Sequence, residues 1–443
     1  MNHDHAVTGA SEPPLPKPAR PEPAKPEPAT TALQRANALL DENTPRNTGT
    51  AREIDWRFFT TWEEAQFGHT AWPTPEDRVV LFIEQHIKGF PDPVRRRLAD
   101  AGFPQAATDL RYRLPTLKRR IFTIATKHQK EGCASPIERE AVRRAMKAAY
   151  KSEKRRSAKA SAFGADAVNA MLDYLQAVAA QAEAQLTMIP AQPVMNRDSQ
   201  ASALAISRGK LRASLFKARR DAALIASIFA SGGRRRSEPV AWRLCDITLH
   251  RISRKALEVM EIRSCGTKTT DAADELSFVL KGYALQLMLG WLDTLKREGH
   301  RVDVECEEPV FRRISKTGTI SRNGVSDRSV YDIFIGRVAE LRDHLARSGA
   351  KPDILASLLE ARKISPHSLR AGYITELRYQ SISLIEGRYF SMHRSLEVMA
   401  GYDRLPSMAL SQAGDVLDTA REEANRSASP QTGNATGDRT NGA

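Results

Sequence analysis

The stretch from Ser365 to Arg404, SPHSLRAGYITELRYQSISLIEGRYFSMHRSLEVMAGYDR, constrains the fold of this chain more than any other. His393 and Tyr402 lie nine residues apart, and at about 100° per residue one continuous helix would place them on opposite faces. They can converge only if the chain breaks between them. Gly401, directly before the tyrosine, tolerates such a break. The stretch therefore predicts a phenol on a segment separate from the residues that precede it.

His367 and Arg370 supply the other half of the pattern. Three residues apart, they share one face if the segment is helical. Arginine offers a planar fork that holds two phosphate oxygens and keeps its proton, and histidine moves protons near neutral pH. A phenol, with a pKa near 10, is a poor nucleophile unless a base assists it and the product charge is stabilised. Together these groups suit attack of a tyrosine on a phosphodiester.

The spacing of HSLRAG followed by MHRSLEVMAGY resembles the C-terminal signature of the tyrosine recombinase (phage integrase) family. One departure is Met392, which stands where many members have glycine before the second histidine. The resemblance implies two further residues upstream, an arginine and a lysine on a β-turn.

The segment SGGRRRSEPVAWRLCDI resembles the part of these recombinases in which Arg-x-Ser-Glu supplies the first catalytic arginine. The register assigns that role to Arg235, with Glu238 as the acidic residue that orients the site. Arg234 and Arg236 depart from the family, which usually has apolar residues there. Ser237 is expected to cap a helix with a proline in its first turn. A generic basic patch is the alternative interpretation.

Three strand-like runs follow, DITLH, ALEVMEIRS and LSFVL. The turn CGTKTTDAADE separates the second run from the third. They predict a small antiparallel sheet. Lys268 lies on the turn and resembles the hairpin lysine that protonates the leaving 5′ oxygen in recombinases. A solvated surface lysine is the alternative when this residue is considered alone.

Both features that the C-terminal stretch implies are therefore present in the required order. The predicted catalytic residues are Arg235, Lys268, His367, Arg370, His393 and Tyr402. Individually each has an ordinary explanation, such as a core tyrosine or a surface histidine; the ordered set is what indicates strand-transfer chemistry. The resemblance implies that no cofactor and no metal is required.

Residues 31–152 have helical periodicity and basic faces. They predict four short helices: one in TAREIDWRFFTTWEEAQF, one that Pro73 and Pro75 open, one in LPTLKRRIFTIATKHQKEG and one in SPIEREAVRRAMKAAYKSEKRR that Ser135 caps. The basic residues of the third are expected to face outward, namely Lys118, Arg119, Arg120, Lys127 and Lys130. The arrangement resembles the core-binding domain of tyrosine recombinases, a SAM-like four-helix bundle that contacts DNA. The predicted DNA-binding residues of this domain and of the connector after it are Lys118, Arg119, Lys127, Lys154, Arg155 and Arg156. A solvated charged surface is the alternative for any single helix.

The predicted fold class is thus a helical core-binding domain followed by a mainly α catalytic domain with a small antiparallel β-sheet. We expect the Pro-rich residues 1–30 to be a disordered arm and 424–443 a disordered tail. The helical domain spans 31–152, a basic linker 153–161 and the catalytic domain 162–423. Residues 188–210 are interpreted as an irregular insertion.

The net charge of +14 favours a polyanion as partner. No signal pattern or 18-residue apolar run stands out, so we expect a cytoplasmic, nucleoid-associated protein without membrane contact. The four cysteines form no CxxC pair, which indicates neither a zinc site nor a disulfide framework. The expected partners are double-stranded DNA, other copies of the chain in a tetramer that exchanges its C-terminal helix, and accessory DNA-binding proteins. A non-cutting site-specific regulator and a type IB topoisomerase-like relaxing enzyme remain the alternatives.

Overall fold

A computed structural model describes residues 32–106, 113–152, 160–189, 199–252, 257–265, 275–361, 363–392 and 395–400. The chain divides into two compact units, residues 1–156 and 157–443. The predicted Pro-rich arm, most of the predicted linker and the predicted tail lie outside the described residues. No helix within the described ranges is long and apolar enough to cross a membrane.

The first unit is helical throughout its described part. Its helices are α1 (Ala32–Glu42), α2 (Arg46–Phe67), α3 (Glu76–Lys88), α4 (Asp92–Asp100), α5 (Leu114–Lys130) and α6 (Glu140–Ser152). The four predicted helices correspond to α2, α3, α5 and α6. Two more accompany them, and α4 adds Val94 and Leu98 to the core. The helix α6 begins later than predicted, because Pro136–Glu138 form a separate 3-10 turn.

Aromatic side chains form the core of this unit. Phe59 lies edge-on to Phe82 with ring centroids 5.0 Å apart, and Trp62 lies 4.8 Å from the same ring. All three are fully buried. Edge-to-face aromatic pairs bury large apolar areas and add about 1 kcal/mol each, so α2 and α3 are joined tightly.

The described part of the second unit combines helices with two small sheets. Its helices are α7 (Ala165–Met188), α8 (Ser199–Ala230), α9 (Gly282–Arg297), α10 (Asp327–Ser348), α11 (Pro352–Glu360), α12 (His367–Tyr379), α13 (Leu384–Ser391) and α14 (Leu396–Ala400). Its strands are β1 (Ile247–Ile252), β2 (Leu257–Cys265), β3 (Glu275–Leu280), β4 (Arg312–Ile314) and β5 (Ile320–Gly324). This mainly helical unit with small antiparallel sheets has the predicted fold class.

The three predicted strands form one antiparallel sheet in the order β1-β2-β3. Ile262 at its centre pairs with Ile247 on one side and Phe278 on the other. The strands β4 and β5 form a second antiparallel pair that the sequence pattern does not predict. Their sequences, RRI and ISRNG, are short and lack the alternation of apolar and polar residues by which strands are recognised.

The helix α8 corrects one prediction. Residues 199–210, interpreted as part of an irregular insertion, form the beginning of this helix, and only residues 190–198 lie outside the described ones. Residues 203–207 are exposed, so no buried stripe marks this part of the helix in the sequence. The end of α8 is buried, with Ala222 to Ile228 inside the core of the unit.

Candidate active site

The described residues include half of the predicted catalytic set. Arg235, His367 and Arg370 are described, and so is the supporting Glu238. Lys268, His393 and Tyr402 lie outside the described residues, and their roles stay predictions. The described part of the site consists of its arginines, one histidine and the elements that hold them.

A glycine turn brings the end of α8 against α12. Gly232 and Gly233 have φ values of +97° and +71°, which a side chain would strain. A Cβ atom on Gly233 would lie 2.5 Å from the Cα of Arg370, so the turn packs directly on the first turn of α12. Arg235, two residues further on, consequently lies beside the helix that carries His367 and Arg370.

No helix follows Ser237, contrary to the sequence expectation. Residues 236–241 form consecutive turns, in which the Glu238 amide donates to the Arg235 carbonyl at 2.9 Å and the Ala241 amide to the Glu238 carbonyl at 3.0 Å. Pro239 has no N–H to donate, so it cannot extend an i to i−4 ladder here. Arg235 therefore does not lie at a helix N-terminus, and its attraction for anions comes from its own charge.

Glu238 holds two of the three consecutive arginines. Its Oε1 lies 3.4 Å from Nη1 of Arg235 and its Oε2 lies 3.7 Å from Nη1 of Arg234. The carboxylate is largely buried, whereas the side chain of Arg235 remains 30% exposed. Arg236 pairs with Asp327 at 3.6 Å instead. Glu238 therefore orients Arg235 while leaving part of its guanidinium accessible to a ligand.

Arg370 is buried and joins three elements. Only 2% of its surface is exposed. From α12, its Nη1 donates to the Gly233 carbonyl at 2.8 Å and its Nη2 to the Ser391 carbonyl at 3.0 Å. Bonds between a guanidinium and carbonyl oxygens are charge-assisted, so they fix the side chain more firmly than neutral hydrogen bonds would.

His367, the first residue of α12, lies among positive charges. Its pKa is lowered, first by partial burial and then by repulsion from Arg370, Arg236, Arg235 and Lys363. The side chain nevertheless reaches the solvent. A lowered pKa keeps the imidazole neutral at pH 7, and a neutral imidazole can accept a proton. Arg235 and Arg370 therefore both lie near enough to His367 for their charges to act on it.

The helix α13 ends immediately before His393. Met392 ends α13 in the left-handed conformation with φ +50°, and its amide donates to the Arg388 carbonyl at 2.8 Å. This conformation is strained for a residue with a side chain, and glycine adopts it freely. The position is the one at which the sequence has methionine where the recombinase pattern has glycine, the residue that this conformation favours. Gly401, the predicted site of the other break, lies outside the described residues.

Tyr373 lies on α12, three residues after Arg370. Burial raises the pKa of Tyr373 to about 12, although Arg234 opposes the shift. Its ring packs edge-on against Phe229 with centroids 5.9 Å apart. A phenol that holds its proton this firmly is a poor nucleophile. Tyr373 therefore serves the core of this unit and is not a candidate nucleophile.

Arg234 is a residue that the sequence interpretation did not assign to the site. It is only 3% exposed, and it donates from Nη2 to the Phe390 carbonyl at 2.8 Å. The sequence signal was present, since an arginine stands where the recombinase pattern has an apolar residue. That signal could not show whether the side chain points to solvent or into the protein.

The predicted DNA-binding residues of the first unit have different surroundings. Lys118 is exposed, with its ammonium 5.8 Å from the ring centroid of Phe122. Arg119 binds the buried carboxylate of Asp55 through two bonds of 2.6 and 2.9 Å, which raise the pKa of this arginine. Lys127 pairs with Glu131 at 3.1 Å. Lys154, Arg155 and Arg156 lie outside the described residues.

The neighbouring Arg120 corrects the expectation that every basic residue of α5 faces outward. It is 5% exposed, and its guanidinium lies 3.3 Å from the ring centroid of Phe58 and donates to Nε2 of His86 at 2.8 Å. Burial and the charge of Arg120 lower the pKa of His86. This neutral histidine can therefore accept the bond, and the pair belongs to the core.

Comparison with known proteins finds no matching protein family and no matching curated protein. Solved structures with a similar arrangement include XerH site-specific recombinase bound to palindromic difH substrate, with 14% identity over 84% of this chain and 79% of that one and a TM-score of 0.44. The Tn1549 transposon integrase with a circular intermediate DNA has 12% identity over 90% and 100% of the two chains and a TM-score of 0.44. XerA recombinase has 13% identity over 85% of this chain and 99% of that one, with a TM-score of 0.32. All three TM-scores are below 0.5.

Proposed function

We propose that this chain is a site-specific tyrosine recombinase that cuts and rejoins DNA through a 3′-phosphotyrosyl intermediate. The observation that carries the proposal is the convergence of Arg235, Arg370 and a neutral His367 around the glycine turn. These residues match the recombinase pattern in identity and order. Their combined charge suits a phosphate whose oxygens gain negative charge during the reaction.

The proposed reaction begins when the phenol oxygen of Tyr402 attacks the scissile phosphate. A bond forms between that oxygen and phosphorus while the bond from phosphorus to the 5′ oxygen breaks, so a 3′-phosphotyrosyl link and a free 5′-hydroxyl result. His367 helps to remove the phenol proton. Lys268 donates a proton to the departing 5′ oxygen. The reverse steps with a second DNA end reseal the strand.

The arginines are proposed to hold the phosphate. Arg235 and Arg370 clamp its non-bridging oxygens, and His393 adds a hydrogen bond to them. Glu238 keeps Arg235 in place, as its 3.4 Å contact suggests. Fixed cations then perform the electrostatic task that metal ions perform in other phosphoryl-transfer enzymes. The covalent intermediate retains the energy of the broken ester, so the proposal requires neither metal nor ATP.

The first unit and the connector after it are proposed to bind DNA outside the cleavage point. Lys118, Arg119 and Lys127 would contact the phosphate backbone from α5, and the connector would do so through Lys154, Arg155 and Arg156. Recombination joins two DNA sites with two cuts in each. We therefore propose a tetramer on DNA, with the C-terminal segment exchanged between copies and with accessory DNA-binding proteins, in association with the nucleoid.

The decisive experiment detects the covalent intermediate. Purified protein is incubated with labelled DNA fragments from the borders of its own gene's neighbourhood, each nicked so that the released strand diffuses away. The wild-type protein should produce a covalent protein–DNA band on a denaturing gel, and Tyr402→Phe should bind the same DNA without producing it. Tyr389→Phe is the matched control, because Tyr389 is 79% exposed on α13 and should not affect the band.

Three outcomes would contradict the proposal. A band that persists in Tyr402→Phe assigns the nucleophile to another residue. Tight binding of the wild-type protein to one site without any band indicates a non-cutting regulator. Relaxation of any supercoiled plasmid, without preference for a sequence, indicates an enzyme of the type IB topoisomerase kind.

A further inference from the structure

Arg234 is a buried charge that the mechanism proposed above does not use. It stands where the recombinase pattern has an apolar residue, and only 3% of its surface is exposed. Burial lowers its pKa, and the neighbouring Glu238 opposes that shift. Removing a guanidinium from water is costly unless partners compensate for the lost hydration. The partners of Arg234 therefore indicate what the charge achieves.

Those partners belong to three different elements. Nη2 donates to the carbonyl of Phe390 in α13 at 2.8 Å, and Nη1 lies 3.7 Å from Oε2 of Glu238. The guanidinium also lies over the ring of Phe278, 4.6 Å from its centroid. Phe278 belongs to β3, the strand that follows the predicted Lys268 turn in the chain. Arg234 thus joins α13, the turn that carries Arg235, and the sheet.

The contact at α13 meets a general need of helix ends. The last carbonyls of a helix have no partner within the helix, and positive charge near them is favourable. Here Arg234 donates to the Phe390 carbonyl, and Arg370 donates to the next one, that of Ser391. Met392 then ends the helix, and His393 is the next residue in the sequence. Two buried arginines therefore hold the backbone that leads into the second predicted catalytic histidine.

Gly232 shows how closely these elements approach. A Cβ atom at this position would lie 2.3 Å from the Phe390 carbonyl oxygen. The end of α13 therefore rests directly on the glycine turn. An apolar residue at position 234 would fill the same space but could not donate to the carbonyl.

We propose that Arg234 is a positioning residue that fixes the end of α13 against the Arg235 turn, and that cleavage depends on this contact through His393, the next predicted catalytic residue in the sequence. The role assigned to Arg234 is to bind the Phe390 carbonyl and Glu238, and no contact with the phosphate is assigned to it. This inference rests on the proposed recombinase function and deepens it. It assigns a role to a residue that departs from the family pattern.

Single-turnover cleavage of the nicked DNA tests the role with Arg234→Leu and Arg234→Lys. Arg342→Leu is the matched control, since Arg342 also donates to a carbonyl near a helix end, that of Leu358 in α11. Arg234→Leu should bind the DNA as the wild-type protein does but cleave it about 100-fold more slowly, because misplacing a catalytic group by about 1 Å has an effect of that order. Arg234→Lys should recover part of the rate by donating to Phe390.

The control separates positioning from stability. Arg342→Leu should lower the midpoint of urea unfolding without slowing cleavage by the folded protein. The positioning role is overturned if Arg234→Leu cleaves at the wild-type rate. It is also overturned if Arg342→Leu and Arg234→Leu lose equal stability and equal cleavage activity.

A double-mutant cycle with His393→Ala tests which group is positioned. Residues that act through one another give non-additive effects. Arg234→Leu should therefore slow cleavage much less in the His393→Ala background than in the wild-type protein. Fully additive losses would show that Arg234 acts on something other than His393.

Hydrogen exchange of residues 384–392 in the DNA-free protein gives a readout that does not depend on cleavage. Arg234→Leu should accelerate exchange in this segment and leave α10 unchanged. Unaltered exchange overturns the inference whatever the protein does to DNA. A wild-type protein that forms no covalent adduct instead overturns the proposed function, and the exchange result still decides the role of Arg234 in the fold.

Discussion

Gly233→Ala offers a direct test of how the two arginines are brought together. The new Cβ would lie 2.5 Å from the Cα of Arg370, a backbone atom that no rotamer change can move aside. Carbon atoms rest at about 3.5 Å or more, so the turn and α12 would have to separate by about 1 Å. The φ of +71° adds a strain of about 1–2 kcal/mol for any residue with a Cβ.

Gly349→Ala is the matched control for that substitution. Gly349 ends α10 with φ +64°, but a Cβ there would meet nothing within 4 Å. Both variants therefore carry the conformational strain, and only Gly233→Ala carries the clash. Urea unfolding should show a loss of about 1–2 kcal/mol for Gly349→Ala and a clearly larger loss for Gly233→Ala.

Cleavage separates the two variants further. A displacement of about 1 Å between Arg235 and Arg370 should slow formation of the covalent adduct about 100-fold in Gly233→Ala, measured under single-turnover conditions. Gly349→Ala should cleave normally once folded. Equal stability and equal rates in the two variants would refute the packing of the glycine turn on α12 as the cause of the convergence.

Three further predictions concern α13, the histidine and the DNA-binding face. Met392→Gly should raise the free energy of unfolding by about 1 kcal/mol in urea, because it relieves left-handed strain; a loss would contradict this. The second-order rate of cleavage should fall as pH drops through the lowered pKa of His367, below 6.5, and His367→Gln should remove that dependence. Lys118→Ala should weaken binding to all DNA sequences and reduce the salt slope by about 1; an unchanged slope would exclude a phosphate contact.

Local sequence patterns determined much of the second unit. The three-residue spacing of His367 and Arg370 predicted a shared helix face, and both lie in the first turn of α12. Runs rich in Ile, Leu and Val predicted the three strands of the larger sheet. Gly349 ends α10 in the left-handed position, which is where glycine is the usual residue at a helix end. Such features depend on residues close in the chain, so the sequence displays them directly.

Only the tertiary structure decided which charges are buried. Arg120, Arg234 and Arg370 are enclosed, whereas Arg235 and Arg119 remain partly accessible. Adjacent arginines look alike in the sequence, because burial depends on carbonyls, carboxylates and rings supplied by distant segments. Arg234, for example, finds its carbonyl partner 156 residues away in α13.

The segment after Arg235 also shows the difference between what the local sequence predicts and what tertiary contacts decide. Ser237 and its following proline matched a helix start, yet the chain turns on itself there and packs against other elements. Propensity acts over a few residues and is weak, so tertiary contacts override it. The sequence by itself therefore determined the order and identity of the candidate catalytic residues. The packing of Gly232 and Gly233 on α13 and α12 decided how the described ones meet, because close backbone approach is a property of the folded chain alone.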